Sequence, residues 1–243
     1  MQRVLIGCMD RRLNMFFDRL SGGETKDSTI IVRNAGGCVA SALGTIGTVS
    51  PAEVDCYTHT DCGAMKVARA ACSELEAGKQ LDDVESNAGI YDKVIAPLAG
   101  RSYSSAIEIE NANTELQRAS LASLSKAHPG TRCECELVDL SKMDIPKSNG
   151  RHALAIGTAF SGRYVELSER HGLDVNETYF VQANALDEVV PPALLAIDKL
   201  GLRDVMFISA AKKDNEVLQH WASSPAFSSL FNRYEISPEV MGF

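Results

Sequence analysis

The sequence predicts an α/β protein built on a mostly parallel central β-sheet with helical crossovers. Three observations carry that expectation. Short β-branched runs alternate with segments of helical period from the first residues onward, and a parallel connection must cross back over its sheet, most often as a helix. The same order of elements returns in the second half of the chain at similar spacings, which reads as an internal repeat. The composition, 45% hydrophobic and 23% charged over 243 residues, is that of an ordinary globular chain able to bury a sizeable core.

The elements follow in order. Arg3 to Gly7 is an apolar run ending in a turn, the first strand. Leu13 to Leu20 places Leu, Met and Phe at helical spacing. Ser28 to Val32 is a β-branched second strand, and Arg33-Asn34-Ala35-Gly36-Gly37 after it has the composition of a loop. Val39 to Val49, small and apolar, reads as a tightly packed helix, and Val54 to Thr58 as the third strand. Met65 to Gly78 continues as helix. Residues 79 to 104 show no clear period. Ile107 to Ala127 reads as an amphipathic helix with an apolar stripe of Ile109, Ala112, Leu116, Ala119, Leu121 and Leu124. Arg132 to Leu140 alternates as a strand, and Lys142 to Gly150, with Pro146, Ser148, Asn149 and Gly150, is the best linker.

Residues 151 to 216 then repeat the opening. Arg151 to Thr158 parallels the first strand and its end at Cys8. Glu166 to His171 parallels the first helix, and Thr178 to Ala185 the second strand and its loop. Val190 to Leu200 parallels the second helix, with Pro191 and Pro192 near its start, and Asp204 to Ser209 parallels the third strand. The expected organisation is residues 1–146 as one half and 151–243 as a repeat of the same fold.

Two short segments carry the chemistry. One is Cys8-Met9-Asp10-Arg11-Arg12; the other is His59-Thr60-Asp61-Cys62-Gly63. Cys8, His59 and Cys62 form a soft three-ligand set that suits Zn²⁺ and leaves a fourth position for water or substrate. If the first and third strands are neighbours, Cys8 and His59 reach one metal from their carboxyl ends, and Cys62 arrives from the following turn at the start of a helix, where a thiolate is favoured. In the second copy Thr158 stands for Cys8, Phe160 for Asp10, Gly162 for Arg12, Ala210 for His59 and Lys213 near Cys62. Every ligand is lost, which accounts for all seven cysteines lying before residue 136. One zinc per chain is therefore expected.

The bland readings take the rest. An odd number of cysteines in a chain of this size argues against a secreted disulfide framework. Cys38, Cys56 and Cys72 read as small buried hydrophobes. Cys133 and Cys135 face one side of a strand and are read as structural, with a second metal or a reversible disulfide as the minor alternative. Arg33 reads as a surface residue or an interface ion pair. His128, His152, His171 and His220 read as structural or exposed. No Gly-x-Gly-x-x-Gly follows a strand, so a dinucleotide cofactor is not expected. The net charge of -8 disfavours non-specific binding to nucleic acid or to an anionic membrane, and no apolar run has transmembrane length. A cytoplasmic protein is expected, or an organellar one if a targeting segment belongs before Met1.

These motifs resemble those of the β-class carbonic anhydrases. That family carries Cys-x-Asp-x-Arg after its first sheet strand, here Cys8-Met9-Asp10-Arg11-Arg12, and His-x-x-Cys after a later one, here His59-Thr60-Asp61-Cys62; Val32-Arg33-Asn34-Ala35-Gly36-Gly37 between them is similar to the family's wording too. The strong match covers roughly residues 3 to 66. Arg11 replaces a usual small residue, and the family's N-terminal helical arm is absent. The resemblance implies reversible hydration of CO₂ to bicarbonate and a proton by hydroxide generated at zinc. It implies that Asp10 and Arg12 pair to orient the attacking water, although in some members the same Asp becomes a fourth zinc ligand. It implies a dimer-like assembly, which this chain would hold within itself as a pseudo-dimer with a degenerate second half, and further homo-oligomerisation as a dimer of pseudo-dimers. Two alternatives stand beside it. One is hydrolysis of carbonyl sulfide or carbon disulfide on the same site; the other is a zinc-binding protein without turnover. Which second-half residues line the pocket is not legible from the sequence.

Overall fold

A computed structural model describes residues 2–22, 28–160 and 163–242. Its elements are β1 (Arg3–Cys8), α1 (Asn14–Leu20), β2 (Thr29–Asn34), α2 (Leu43–Val49), β3 (Glu53–His59), α3 (Gly63–Glu76), the short α4 (Ala88–Ile90), which continues as a wider turn through Ile95, α5 (Ala106–Ala127), β4 (Arg132–Val138), β5 (Ala153–Gly157), α6 (Tyr164–Arg170), β6 (Thr178–Gln182), α7 (Leu186–Lys199), β7 (Asp204–Ile208), α8 (Asn215–Ala222), α9 (Pro225–Arg233) and β8 (Glu239–Met241). The strands form one eight-stranded sheet in the order β4-β3-β1-β2-β6-β5-β7-β8. Every neighbouring pair is parallel except β2 and β6 at the centre. The α/β class and the mostly parallel sheet expected from the sequence are what the chain adopts.

The strand sequences explain the arrangement. Val4, Leu5 and Ile6 of β1 and Leu154, Ala155 and Ile156 of β5 are completely buried. Unbroken apolar runs of this kind belong to parallel strands covered by helices on both faces. The two inner trios, β3-β1-β2 and β7-β5-β6, correspond in strand order. Gly7 of β1 lies opposite Arg33 of β2 and Tyr57 of β3, while Gly157 of β5 lies opposite Gln182 of β6. Arg33 and Gln182 are in turn the pair at which β2 and β6 meet. One continuous hydrophobic core runs under both halves. From Met143 to His152 the chain has neither helix nor strand. No helix among the described residues is long and apolar enough to cross a membrane.

Several boundaries differ from expectation, each for a tertiary reason. β2 runs on to Asn34, because Arg33 and Asn34 pair with Gly7 and Cys8 of β1 instead of starting a loop. Val39 to Val49 is not one helix. Val39–Ser41 is a 3₁₀ turn, and α2 begins at Leu43, where the buried Glu188 carboxylate of α7 accepts hydrogen bonds from Gly44 N (2.8 Å), Thr45 N (3.2 Å) and Thr45 Oγ1 (2.6 Å). The two backbone N–H groups are orphan donors of a helix start, capped by a side chain from the other half of the chain. α7 starts at Leu186, so Pro191 and Pro192 lie inside it rather than near its start; Pro191 packs against Gly89, where any Cβ would come within 2.3 Å of the Pro191 ring. α5 has the predicted span but a different buried face. Glu110, Asn113, Thr114 and Gln117 are buried beside Ile109, Leu121 and Leu124, whereas Ala119 is exposed and Ala112 and Leu116 are half-buried. Beyond residue 216, where periodicity made no prediction, Phe227 and Phe231 of α9 pack on Phe207 of β7 and close the far end of the core.

Candidate metal centre

β1 and β3 are hydrogen-bonded parallel neighbours. Their last residues, Cys8 and His59, therefore emerge at the same carboxyl edge, where open α/β sheets place their sites. The chain then turns sharply. Asp61 takes φ of 55°, a left-handed conformation that Asp tolerates better than most residues, and Cys62 follows as the residue capping α3. The ligand atoms of Cys8, His59 and Cys62 all lie within 4.8 Å of one another, and all three residues are buried. Among the described residues no other such grouping of three or more His, Cys, Asp or Glu occurs.

The donor set fits a zinc ion. Cys8 Sγ and Cys62 Sγ are 3.8 Å apart, and two thiolates about 2.3 Å from a tetrahedral Zn²⁺ are about 3.8 Å apart. His59 Nδ1 lies 2.8 Å from the Thr60 carbonyl and donates to it. That fixes the tautomer and leaves Nε2 with a free lone pair, the usual preparation of a ligating histidine. Nε2 is buried and has no hydrogen-bond partner, an expensive state for a polar atom unless something binds it.

The three groups perturb one another's proton affinities. The Cys62 thiol holds the Cys8 thiol well below its ordinary pKa, against the effect of burial and with help from His59. Cys62, as the thiol of the pair, is pushed well up by Cys8 and by burial. Burial opposes charging His59, but Cys8, Asp10 and the Thr60 carbonyl together raise the imidazole pKa. A divalent cation takes the place of these protons, so metal affinity weakens in acid.

Asp10 and Arg12 form the second part of the site. Arg12 donates from Nε to Asp10 Oδ1 (2.9 Å), from Nη2 to Oδ2 (2.6 Å) and from its backbone N to Oδ1 (3.0 Å). This is a bidentate fork that only Arg supplies. On its other edge Arg12 reaches Asp61 Oδ2 (2.5 Å) and the Asp61 carbonyl (2.8 Å), and Lys66 pairs with the same carboxylate. Asp10 is thereby committed to Arg12. Burial opposes its ionisation, yet the Arg12 hydrogen bonds and charge, together with the His59 charge, hold its pKa below the usual carboxylate range. A depressed folded pKa adds stability above the unfolded value of about 3.9 and loses it as pH falls through the folded value. Asp10→Asn is therefore expected to destabilise the protein at neutral pH, and its difference from wild type to shrink as pH falls below the unfolded value of about 3.9, read from thermal melts across that range.

Arg33, read from the sequence as a surface residue or an interface ion pair, lies where the two halves meet but is not on the surface and makes none of the ion pairs seen among the described residues. It is completely buried. Its Nε donates to the Cys8 carbonyl (2.6 Å) and its Nη2 to the Asp10 carbonyl (2.9 Å), so it braces the backbone of the first motif. Its guanidinium carbon lies 4.7 Å from the Phe17 ring centre and 5.2 Å from that of Tyr164. Two aromatic faces stabilise the buried charge. Arg33→Met retains bulk there but loses both donors, and a loss of about 1–3 kcal/mol is expected, measured as a lower urea midpoint at unchanged slope.

The face of α5 nearest the site is polar for a reason periodicity could not reveal: its partners are loop backbone groups and a strand hydroxyl. Asn113 Nδ2 donates to the Gly36 carbonyl (2.9 Å) and Gln117 Oε1 accepts from Val39 N (2.8 Å). Thr114 Oγ1 meets Thr58 Oγ1 at 2.7 Å, and Glu110 Oε1 accepts from Cys62 N at 3.0 Å. Gly36 and Gly37 hold φ of 72° and 69°, and a Cβ on Gly37 would lie 3.0 Å from the Tyr57 carbonyl, so glycine is required at this turn beside β3.

The second half reaches the site through the segment 175–180. Arg11 Nη1 donates to the Asn176 carbonyl (2.5 Å), Asn14 Nδ2 to the carbonyls of Val175 and Thr178 (2.7 Å each), and Phe180 N to the Met9 carbonyl (3.3 Å). Tyr179 lies close enough that, after burial, the Asp10 charge helps push its hydroxyl pKa up. At the equivalent end of β5, Thr158 is buried and Ala210 half-buried, while Lys213 is exposed; none of them joins a metal-binding group. Phe160 bridges to Ile31 of β2, and Gly162 lies outside the described residues. Of the other cysteines, Cys38, Cys56 and Cys72 are buried as expected, and Cys133 and Cys135 are half-buried.

No family model matches the chain, and no curated protein matches it. Among solved structures it is similar to a carbonic anhydrase from Glaciozyma antarctica, at 20% identity over 58% of this chain and 77% of that one, with a TM-score of 0.37. A likeness that weak carries no argument. The case for a function rests on the residues.

Proposed function

We propose that the protein is a zinc-dependent hydratase that interconverts CO₂ and bicarbonate. The observation that carries the reading is the convergence of Cys8, His59 and Cys62 beside an Asp10–Arg12 pair that leaves Asp10 off the ligand cluster. When bound there, Zn²⁺ would supply Lewis acidity strong enough to make water a nucleophile near neutral pH. Two thiolates and a neutral imidazole balance its charge, and the Thr60 carbonyl keeps the imidazole in the ligating tautomer.

The remaining chemistry falls to Asp10 and Arg12. An ionised carboxylate is an acceptor only. Asp10 can therefore hold the hydrogen of an incoming water and turn a lone pair towards the carbon of CO₂. It favours a protonated oxygen, as in water or bicarbonate, over one without a proton. Arg12, anchored on Asp61, keeps the carboxylate in that orientation, which is the positioning that makes a bound reactant effectively intramolecular.

The second half is read as a degenerate copy that acts as an internal partner subunit. The matching strand trios, their meeting at Arg33 and Gln182, and the missing ligands at Thr158, Ala210 and Lys213 support this. One zinc per chain follows. The test is a substrate comparison on zinc-loaded protein. Rapid CO₂ hydration by stopped flow, with no sulfide released from carbonyl sulfide or carbon disulfide, is the expected result. Sulfide release without CO₂ turnover would move the assignment to the sulfur analogues, and inertness to all three would leave a non-catalytic zinc protein.

A further inference from the structure

α5 offers the metal centre a buried polar stripe, and three of its four members have plain structural partners in neighbouring loops and strands. Glu110 differs. It is 2% exposed, it is ionisable, and its Oε1 accepts the N–H of a ligand residue, Cys62, at 3.0 Å. That N–H needs a partner. It comes after the left-handed turn at Asp61 and before the first turn of α3, so no strand or helix ladder takes it. Leaving a buried N–H unpaired is costly, and any shift of the Cys62 backbone to relieve it would move Sγ.

We infer that Glu110 is a positioning residue of the metal centre, holding Cys62 Sγ in ligating position through the Cys62 N–H. The inference rests on the reading of Cys8, His59 and Cys62 as metal ligands. Glu110 belongs to a helix distant in sequence from both motifs and is not one of the three residues of the ligand cluster. It acts through the backbone of one ligand, as groups behind the ligands do in metal sites generally, where their loss weakens metal binding by about 10–100-fold.

The test uses Co²⁺ as the probe on the full chain, because the intensity of its sulfur-to-cobalt absorption reports thiolate ligation directly. Affinity is read by chelator competition, and melting of the metal-free protein is followed in parallel. Glu110→Gln retains an oxygen acceptor for Cys62 N–H and is expected to bind Co²⁺ within about threefold of wild type with the same spectrum. Glu110→Ala is expected to bind about 10–100-fold more weakly with a diminished sulfur band. A merely structural role would lower the melting temperature of the metal-free protein and leave the spectrum unmoved. Glu110→Ala binding Co²⁺ with wild-type affinity and spectrum would overturn the inference. Should that variant fail to fold, Glu110→Asp, one methylene too short to reach Cys62 N–H, decides on the same criteria. Wild-type protein that takes up no Co²⁺ would instead overturn the metal reading itself, and this inference with it.

Discussion

Replacing Cys62 with serine is expected to strip the protein of zinc. The proposed site offers three candidate ligand atoms within 4.8 Å of one another. If they share a binding free energy of about 12 kcal/mol, losing one removes about 4 kcal/mol, roughly a thousandfold in affinity. After dialysis against a chelator, zinc is expected to fall from about one ion per chain to below about a tenth. Cys8→Ser and His59→Ala should behave alike, because each removes one of three equivalent contributions. Cys72→Ala is the control. Cys72 is equally buried but outside the cluster, so zinc content should be unchanged. Loss of zinc from the control, or its retention in Cys62→Ser, would show that the metal is held elsewhere.

The second large effect separates chemistry from metal binding. Asp10→Asn leaves Cys8, His59 and Cys62 in place, and zinc content is expected to stay near one per chain. The amide, however, is neutral and presents an N–H₂ where both Asp10 oxygens accept from Arg12. Turnover of CO₂ is expected to fall by about 10²–10³, the usual cost of removing one oriented group from a reacting centre. Arg12→Lys should fall by a similar factor, because an ammonium cannot replace the fork that grips Asp10 and Asp61 together. Full turnover in either variant would remove the pair from the mechanism.

The parts of this site legible in the sequence are those with local causes. Cys8 and His59 end apolar runs that read as strands of one parallel sheet, and the Asp10–Arg12 pair, implied by the family resemblance, spans only two residues. Glu110 and Arg33 were not legible, because a polar or charged side chain reads as a solvent face until its partner is known. The partner of Glu110 is 48 residues away, and those of Arg33 are 25 and 23 residues away. The same blindness assigned α5 an apolar stripe through Ala112, Leu116 and Ala119. Its true inner face binds loop carbonyls and N–H groups, which no hydrophobic period encodes. The start of α2 was equally hidden, since its cap, Glu188, comes from the other half of the chain. Tertiary hydrogen bonds, rather than local propensity, decided each of these.

The most direct test of the central claim is zinc K-edge X-ray absorption on zinc-loaded protein, combined with elemental analysis. The account predicts one zinc per chain with two sulfur scatterers at about 2.3 Å and two nitrogen or oxygen scatterers at about 2.0 Å, and loss of one sulfur or of the metal itself in Cys62→Ser. Two zinc ions per chain, or a zinc shell without sulfur, would contradict it.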